Sequence, residues 1–198
     1  MASEVRTRRE RGSLSEEEIL DGAHALIARG GLDGLSMPAL ARELGAGVTS
    51  IYWYFRNKEE LLVALAERVT RDLYDALPPI GDGPWDEELR SMHVAYRRVL
   101  RETPGYNELF SVRPFAVLTA PTVLAKVLER LELDAALLRR AGFDPVAATR
   151  AFYACNVHAR AFVLAEMASG AEPEDGDEAY ERVLDLLIEG IRRTAPSA

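Results

Sequence analysis

Two closely spaced glycines, Gly45 and Gly47, constrain this chain more than any other feature of the sequence. Gly45 follows a short segment with helical apolar periodicity, and a glycine there readily adopts the left-handed conformation that ends a helix. Gly47 keeps the turn free of side chains, and Thr49 or Ser50 is placed to cap a new helix. The pattern predicts a tight turn between two helices, with the second helix covering residues 49–55.

This second helix carries more rings and hydroxyl groups than a short buried helix needs. If Val48, Ile51 and Phe55 face the core, the other side chains face outwards in some measure: Thr49, Ser50, Tyr52, Trp53 and Tyr54. Hydroxyl groups, rings and the ammonium of Lys58 just beyond suit a phosphate backbone and base edges. We therefore expect a DNA-contacting surface; the alternative is that these rings only pack a small domain.

The stretch from Leu44 to Leu61 resembles the DNA-binding end of the tetracycline-repressor (TetR) family of transcriptional regulators. The shared pattern is a turn glycine, a hydroxyl residue, an apolar residue, tyrosine, further aromatics, a basic residue, then lysine and an acidic–leucine run. The resemblance covers about residues 15 to 65 and is weak beyond them. It implies that operator DNA is contacted by Ser36, Thr49, Ser50, Tyr52, Trp53, Tyr54 and Lys58. Pro38 stands where some relatives carry a basic base-reading side chain, so no operator sequence is predicted.

Composition narrows the class of protein. The chain has 198 residues, of which 48% are hydrophobic and 28% charged, as in ordinary globular proteins. The net charge of −8 means that any DNA contact is local, made by a few cations. The N-terminus is rich in arginine and has no apolar signal core, and the apolar runs are too short to span a bilayer. We therefore expect a cytoplasmic protein with no membrane contact.

Signals for catalysis and for metal binding are lacking. The single cysteine, Cys155, excludes an internal disulfide and a multi-cysteine zinc site. The three histidines, His24, His93 and His158, are too scattered for a metal site. The sequence carries no phosphate loop, nucleophile elbow or HExxH motif. We expect neither an enzyme nor a cofactor.

Helix start and stop signals recur along the whole chain and predict an all-α fold. Ser15 with Glu18 opens the first helix, Ser36 caps the second, and Asn57 caps a fourth helix over residues 58–76. After the break at residues 78–85, five more helices are predicted over residues 86–102, 104–113, 121–141, 144–168 and 177–193.

The sequence is predicted to divide into three parts. Residues 1–13 form a basic flexible arm, either a frayed tail or a segment that reaches a DNA groove. Residues 14–60 form a three-helix helix-turn-helix domain that binds DNA. Residues 61–198 form a larger helical domain for effector binding and dimerisation.

The last two predicted helices suggest a protein–protein surface. Small residues on one helix and an apolar stripe on the other would build a four-helix interface between two copies. The family resemblance implies this homodimer, with the following interface residues: Ala151, Cys155, Phe162, Val183, Leu184, Leu187 and Ile191. The alternative is that both faces are intramolecular core.

Polar and aromatic groups within apolar helices suggest a pocket for a small molecule. The candidate lining residues are His93, Tyr96, Phe110, Arg113, Tyr153, Asn156 and Arg160. The alternative is that these groups satisfy one another or face solvent. Because the resemblance implies an effector, the sequence as a whole predicts a ligand-responsive regulator, most simply a repressor released from an inverted-repeat operator. The rival is a helical small-molecule-binding protein that does not bind an operator.

Overall fold

The computed structural model describes residues 14–103, 109, 120–169 and 176–195. Outside the described residues lie the predicted arm, residues 104–108 and 110–113 of a predicted helix, which include Phe110 and Arg113, and residues 170–175 of the acidic loop. The fold is all-α, as predicted. The described residues form α1 (Glu16–Gly34), α2 (Met37–Glu43), α3 (Val48–Tyr52), α4 (Lys58–Asp75), α5 (Trp85–Glu102), α6 (Pro121–Arg140), α7 (Pro145–Ser169) and α8 (Asp177–Arg192).

The helix caps predicted from local chemistry are present. The Ser15 hydroxyl accepts from the Glu18 N–H at 3.2 Å, and Glu18 Oε2 accepts from the Ser15 N–H at 2.9 Å. Ser36 Oγ accepts from the N–H of Ala39, and Asn57 Oδ1 accepts from that of Glu60 at 2.8 Å. Each cap satisfies a backbone donor that the helix itself leaves unpaired.

The turn between α2 and α3 and the helix after it differ from their prediction in two respects: the N-cap of α3, and its C-terminal end, which lies at Tyr52 and not at residue 55. Gly45 has φ = 62°, the left-handed conformation expected of it. However, α3 begins at Val48, and its N-cap is Gly47, whose carbonyl accepts from the Ser50 N–H at 2.9 Å. The prediction that Thr49 or Ser50 caps this helix is therefore wrong, because both residues already lie within its first turn.

The long helix α4 connects the N-terminal and C-terminal parts of the fold. It packs on α1 and on α6. Arg68 Nη1 donates to the carbonyl of Glu17 at 3.3 Å, and Nη2 pairs with Asp21, both on α1. Thr122 of α6 donates to the Glu67 carboxylate. The predicted domain boundary after residue 60 therefore falls inside a helix that both parts share.

The C-terminal helices pack around a core of leucine, valine and aromatic side chains. α5 packs on α7 and α8, while α6 packs on α4 and α7. The predicted break is a non-helical segment over residues 76–84 that wraps the Glu88 carboxylate, which accepts from the Gly81 N–H at 2.9 Å. Among the described residues, no helix combines the length and the apolar character that crossing a lipid bilayer requires.

Replacing Gly45 by alanine should destabilise the fold. A side chain in the left-handed conformation costs about 1–2 kcal/mol, so the urea midpoint of unfolding should fall. The matched control is Gly30→Ala, because Gly30 lies in helical backbone of α1 and a Cβ there meets open space. That variant should be unchanged or more stable by about 0.5–1 kcal/mol. Equal losses in both variants would contradict the assignment.

Candidate nucleic-acid interface and interior ligand site

Helix α3 is anchored on one side and exposed on the other. Ile51 and Phe55 are buried in the small N-terminal core. Trp53 is 86% exposed, and Tyr52 and Tyr54 are each about half exposed. Val48, expected in the core, is exposed instead. The structure thus presents three rings outward at the C-terminal end of α3: Tyr52 is the last residue of the helix, and Trp53 and Tyr54 follow in the turn before the buried Phe55.

Hydroxyl groups line the same region. Thr49 and Ser36 are exposed, and Ser50 is half-buried. The Tyr54 hydroxyl donates to the Leu14 carbonyl at 2.5 Å, which ties the end of α3 to the residue before α1. Tyr54 therefore already has a structural role, whereas Tyr52 and Trp53 extend outward.

Lys58 occupies a different environment from the one its sequence position suggests. Its Nζ donates to the carbonyl of Leu32 at 3.0 Å and to that of Leu35 at 2.6 Å. These carbonyls lie at the end of α1, so the ammonium joins the first residue of α4 to the segment leading into α2. Because two of its three N–H groups are used in this way, Lys58 is held in place and is not a free surface charge.

Two arginines near α3 are not among the DNA-contacting residues predicted from the sequence. Arg42 lies in the last turn of α2, and Arg56 follows Phe55; both are exposed. Either guanidinium can bind a phosphate. Arg56 is the basic residue of the family pattern, but that pattern does not show whether its side chain is exposed, and nothing in the local sequence distinguishes Arg42 from arginines on other helices.

In the C-terminal part, His93 is the most deeply buried of those predicted ligand residues that the structure describes. Its Nδ1 lies 2.9 Å from the Leu89 carbonyl, and since a carbonyl only accepts, Nδ1 carries the proton. Nε2 is then an acceptor, and it has no hydrogen-bond partner among the described residues. Burial lowers the pKa of His93 to about 4. The imidazole is therefore neutral at physiological pH and presents one unused acceptor to the interior.

A buried ion pair that the sequence analysis missed lies near this histidine. Arg130 Nε donates to Asp134 Oδ2 at 2.9 Å, and both residues are on α6. The remaining oxygen, Oδ1, has no partner among the described residues, and burial raises the pKa of Asp134 to about 6. Arg130 Nη2 contacts the Met92 sulfur at 3.4 Å, a weak acceptor. The i,i+4 spacing of Arg130 and Asp134 is compatible with an ion pair, but nothing in the sequence of this helix marks the pair as buried.

The other predicted ligand residues are distributed differently. Tyr96 is buried, while Asn156 and Arg160 are half-buried on α7. Tyr153 is 63% exposed, on the side of α7 opposite to the buried Cys155. The prediction that Tyr153 lines an interior pocket of the same chain is wrong, because apolar residues occur on both sides of α7 and periodicity alone did not identify the buried side.

The same ambiguity affects the predicted dimer residues. Cys155 and Leu184 are 0% exposed and belong to the core of their own chain, so assigning them to a partner surface is wrong. Phe162 packs on the Tyr180 ring, with centroids 5.4 Å apart. Ala151, Leu187 and Ile191 are half-buried against the core. Of the predicted interface residues, Val183 is exposed, together with apolar side chains that were not predicted at the interface: Val146, Tyr153, Val157, Met167 and Leu186.

Comparisons with known proteins bear on these surfaces. Residues 19–65 match the family described as bacterial regulatory proteins, tetR family. The HTH-type transcriptional repressor Rv1353c of Mycobacterium tuberculosis is 38% identical over 164 residues, which make up 83% of this chain and 62% of that protein. The chain therefore spans less than two thirds of that relative's length. The tetracycline repressor protein class C of Escherichia coli is 30% identical over 166 residues, covering 83% of this chain and 72% of that repressor.

Solved structures match over most of the fold. A single-residue variant of TetR from Acinetobacter baumannii in complex with minocycline superposes with a TM-score of 0.71 at 28% identity. The match covers 93% of this chain and 99% of that one. BioQ from Mycobacterium smegmatis superposes with a TM-score of 0.68 at 26% identity, covering 90% of this chain and 98% of that one.

Replacing His93 by glutamine should cost less stability at pH 5 than at pH 7. The imidazole of the unfolded chain, with a pKa near 6.5, takes up a proton that the folded chain does not bind until about pH 4, so the contribution of His93 to stability is lost as the pH falls through this window. The difference in unfolding free energy between parent and variant should shrink by about 2 kcal/mol from pH 7 to pH 5. Urea titrations at several pH values measure it.

Asp134→Asn is the control with the opposite sign. Because the folded pKa of Asp134 is raised above its ordinary value, the folded state holds a proton that the unfolded state has lost between about pH 4 and pH 6. The contribution of Asp134 to stability is therefore lost as the pH rises through that window, so the difference in unfolding free energy between the parent and the asparagine variant should shrink from pH 4 to pH 6. The same pH dependence in both variants would contradict the assigned environments.

Proposed function

Since the chain belongs to the tetR family of bacterial regulatory proteins, we propose that it is a transcriptional repressor that a small-molecule effector releases from an inverted-repeat operator. The observation that carries this proposal is the outer face of α3, where Trp53 and Tyr52 project from a helix fixed by buried Ile51 and Phe55. Exposing large rings to water is unfavourable, and such a surface usually marks a contact site.

The DNA-binding step places α3 in the major groove. The exposed hydroxyl of Thr49 and the nearby Ser36 donate to phosphate oxygens, which sets the register of the protein on the duplex. Trp53 and Tyr52 press against sugar and thymine methyl groups at the groove edge. Exposed Arg42 and Arg56 add the cations that a chain of net charge −8 needs locally.

A second copy supplies the second recognition helix. The exposed apolar side chains of α7 and α8, chiefly Tyr153, Val157, Val183 and Leu186, pack against the same surface of the partner as a four-helix contact. Burying these side chains from water is the driving force. The two α3 helices then meet successive major grooves, about 34 Å apart, which requires an operator with inverted half-sites.

The effector binds within the C-terminal helices, and the complex of a similar TetR variant with minocycline supports a small molecule as the effector. The unused acceptors of His93 and Asp134 make the region between α5 and α6 the first place to search. Because α4 packs on both α6 and α1, an effector that prefers a different position of α6 also changes the orientation of α3. Operator affinity then falls by the ratio of the effector's affinities for the two arrangements.

The rival proposal is a helical small-molecule-binding protein that does not bind an operator. It leaves the exposed rings of α3 without a role, and for that reason we favour the regulator.

A regulator of bacterial genes works in the cytoplasm, where its operator is. The direction of regulation depends on where the operator lies relative to the promoter.

The decisive experiment titrates the protein with duplex DNA from upstream of its own gene, with Trp53→Ala as the test variant. The parent should shift this duplex in preference to a scrambled one. The alanine variant should unfold at the same temperature but bind at least ten times more weakly, or about 1–3 kcal/mol. A parent that shifts no upstream fragment even at low salt would favour the rival proposal, and an unchanged affinity in the variant would remove Trp53 from the interface.

Lys58→Met separates two roles for that lysine. If the ammonium mainly fixes α1 to α4, the variant should lose stability and operator affinity, while the slope of log K against log salt stays the same. A slope smaller by about one unit would instead identify a direct phosphate contact. The matched control is Arg56→Met, which removes an exposed cation and should lower the slope without lowering stability.

A further inference from the structure

We propose that Arg97 is a positioning residue: it fixes α7 and α8 relative to each other and so shapes the surface on which a second copy docks. This inference rests on the homodimer of the proposed function. Arg97 lies on α5, is 5% exposed and takes no part in the outward surface itself. Its role follows from what its guanidinium touches.

The guanidinium bridges the two helices through two carboxylates. Nη1 donates to Asp177 Oδ1 at 2.5 Å, in the first turn of α8. Nη2 donates to Glu166 Oε1, in the last turn of α7. The Glu166 carboxylate is also largely buried, whereas that of Asp177 is half exposed. A planar guanidinium has donors in fixed directions, so holding both carboxylates fixes the separation of the two helix ends.

Two aromatic rings hold the same group from α7 and α8. The guanidinium carbon lies 4.9 Å from the centroid of the Tyr180 ring and 5.4 Å from that of Phe162. The Tyr180 hydroxyl donates to the His93 carbonyl at 2.8 Å, which returns the connection to α5. Each of the two helices therefore meets Arg97 once through a carboxylate and once through a ring.

The backbone at the start of α8 is shaped to admit this ion pair. Gly176 is the N-cap of α8, and a Cβ at this position would overlap Glu166 Oε1 and lie 3.0 Å from Arg97 Nη2. A side chain at residue 176 would therefore displace the Glu166 carboxylate from its present position against Arg97.

The energetics of buried ion pairs explain why such a group positions more than it stabilises. Removing a guanidinium and a carboxylate from water costs much of what their attraction returns, so an apolar replacement of both is often neutral for folding. What the replacement removes is the constraint that the guanidinium places on the positions of α7 and α8. A four-helix contact needs a defined angle between its helices, and a loosened pair presents Val157 and Leu186 in many orientations instead of one.

The test is the double variant Arg97→Met with Glu166→Gln, which removes the guanidinium without leaving a buried carboxylate unpaired. The matched control is Arg98→Met with Glu178→Gln, two exposed neighbours that carry the same charges. We expect both variants to keep the helical signal in circular dichroism and to unfold cooperatively. The dimer dissociation constant, measured by dilution of fluorescently labelled copies, should rise at least ten-fold in the test variant and less than two-fold in the control.

Three results would overturn the inference: a test variant that dimerises as tightly as the parent, a control that loses as much affinity, or a test variant that loses its helical signal. The last would assign Arg97 to folding stability alone. Arg97→Lys checks the geometric argument, because it keeps the charge but loses the fork, and it should weaken the dimer as well. A parent that is itself monomeric would refute the proposed dimer, whereas a tight dimer that ignores Arg97 refutes only this inference.

Discussion

The burial of Ile51 and Phe55 is the constraint on which the N-terminal part of the structure depends. A helix of five residues is too short to persist in water by its own hydrogen bonds, since nucleating a helix costs more than one turn returns. It persists because these two side chains insert into the core formed with α1 and α2. Fixing that side leaves the opposite side open, and Trp53 and Tyr52 lie there. The packing that buries Ile51 and Phe55 therefore also exposes Tyr52 and Trp53.

Local chemistry in the sequence was sufficient to predict the fold class and most helix ends. The caps at Ser15, Ser36 and Asn57 and the left-handed turn at Gly45 depend on residues close along the chain, so a short window contains the needed information. The C-terminal helices begin and end within about a residue of their predicted limits for the same reason. The family resemblance then placed the expected DNA surface on α3.

The sequence failed where distant parts of the chain decide the outcome. The Lys58 ammonium bonds to carbonyls 26 and 23 residues away, and no local pattern encodes that geometry. On α7 both sides are apolar enough to be buried, so the sequence pattern alone does not identify the side that faces the core. Cys155 was predicted at a partner surface and Tyr153 in an interior pocket, but Cys155 faces the core of its own chain and Tyr153 faces outward. The interior cluster around Arg130 and Asp134 was missed because a charged pair at helical spacing usually lies on a solvated face.

The position of α4 determines where a segment of this protein can be exchanged with that of another regulator. The matched family segment ends at residue 65, partway along a helix whose later residue Arg68 still holds Glu17 and Asp21 of α1. Exchanging the first 60 residues with those of another regulator would therefore separate α1 from Arg68 and from the part of α4 that remains in the other segment. A fusion point in the segment over residues 76–84 would transfer α4 whole. The new contact between the two parents would then be that of α4 with α6, where Thr122 meets Glu67, and its side chains would have to be matched.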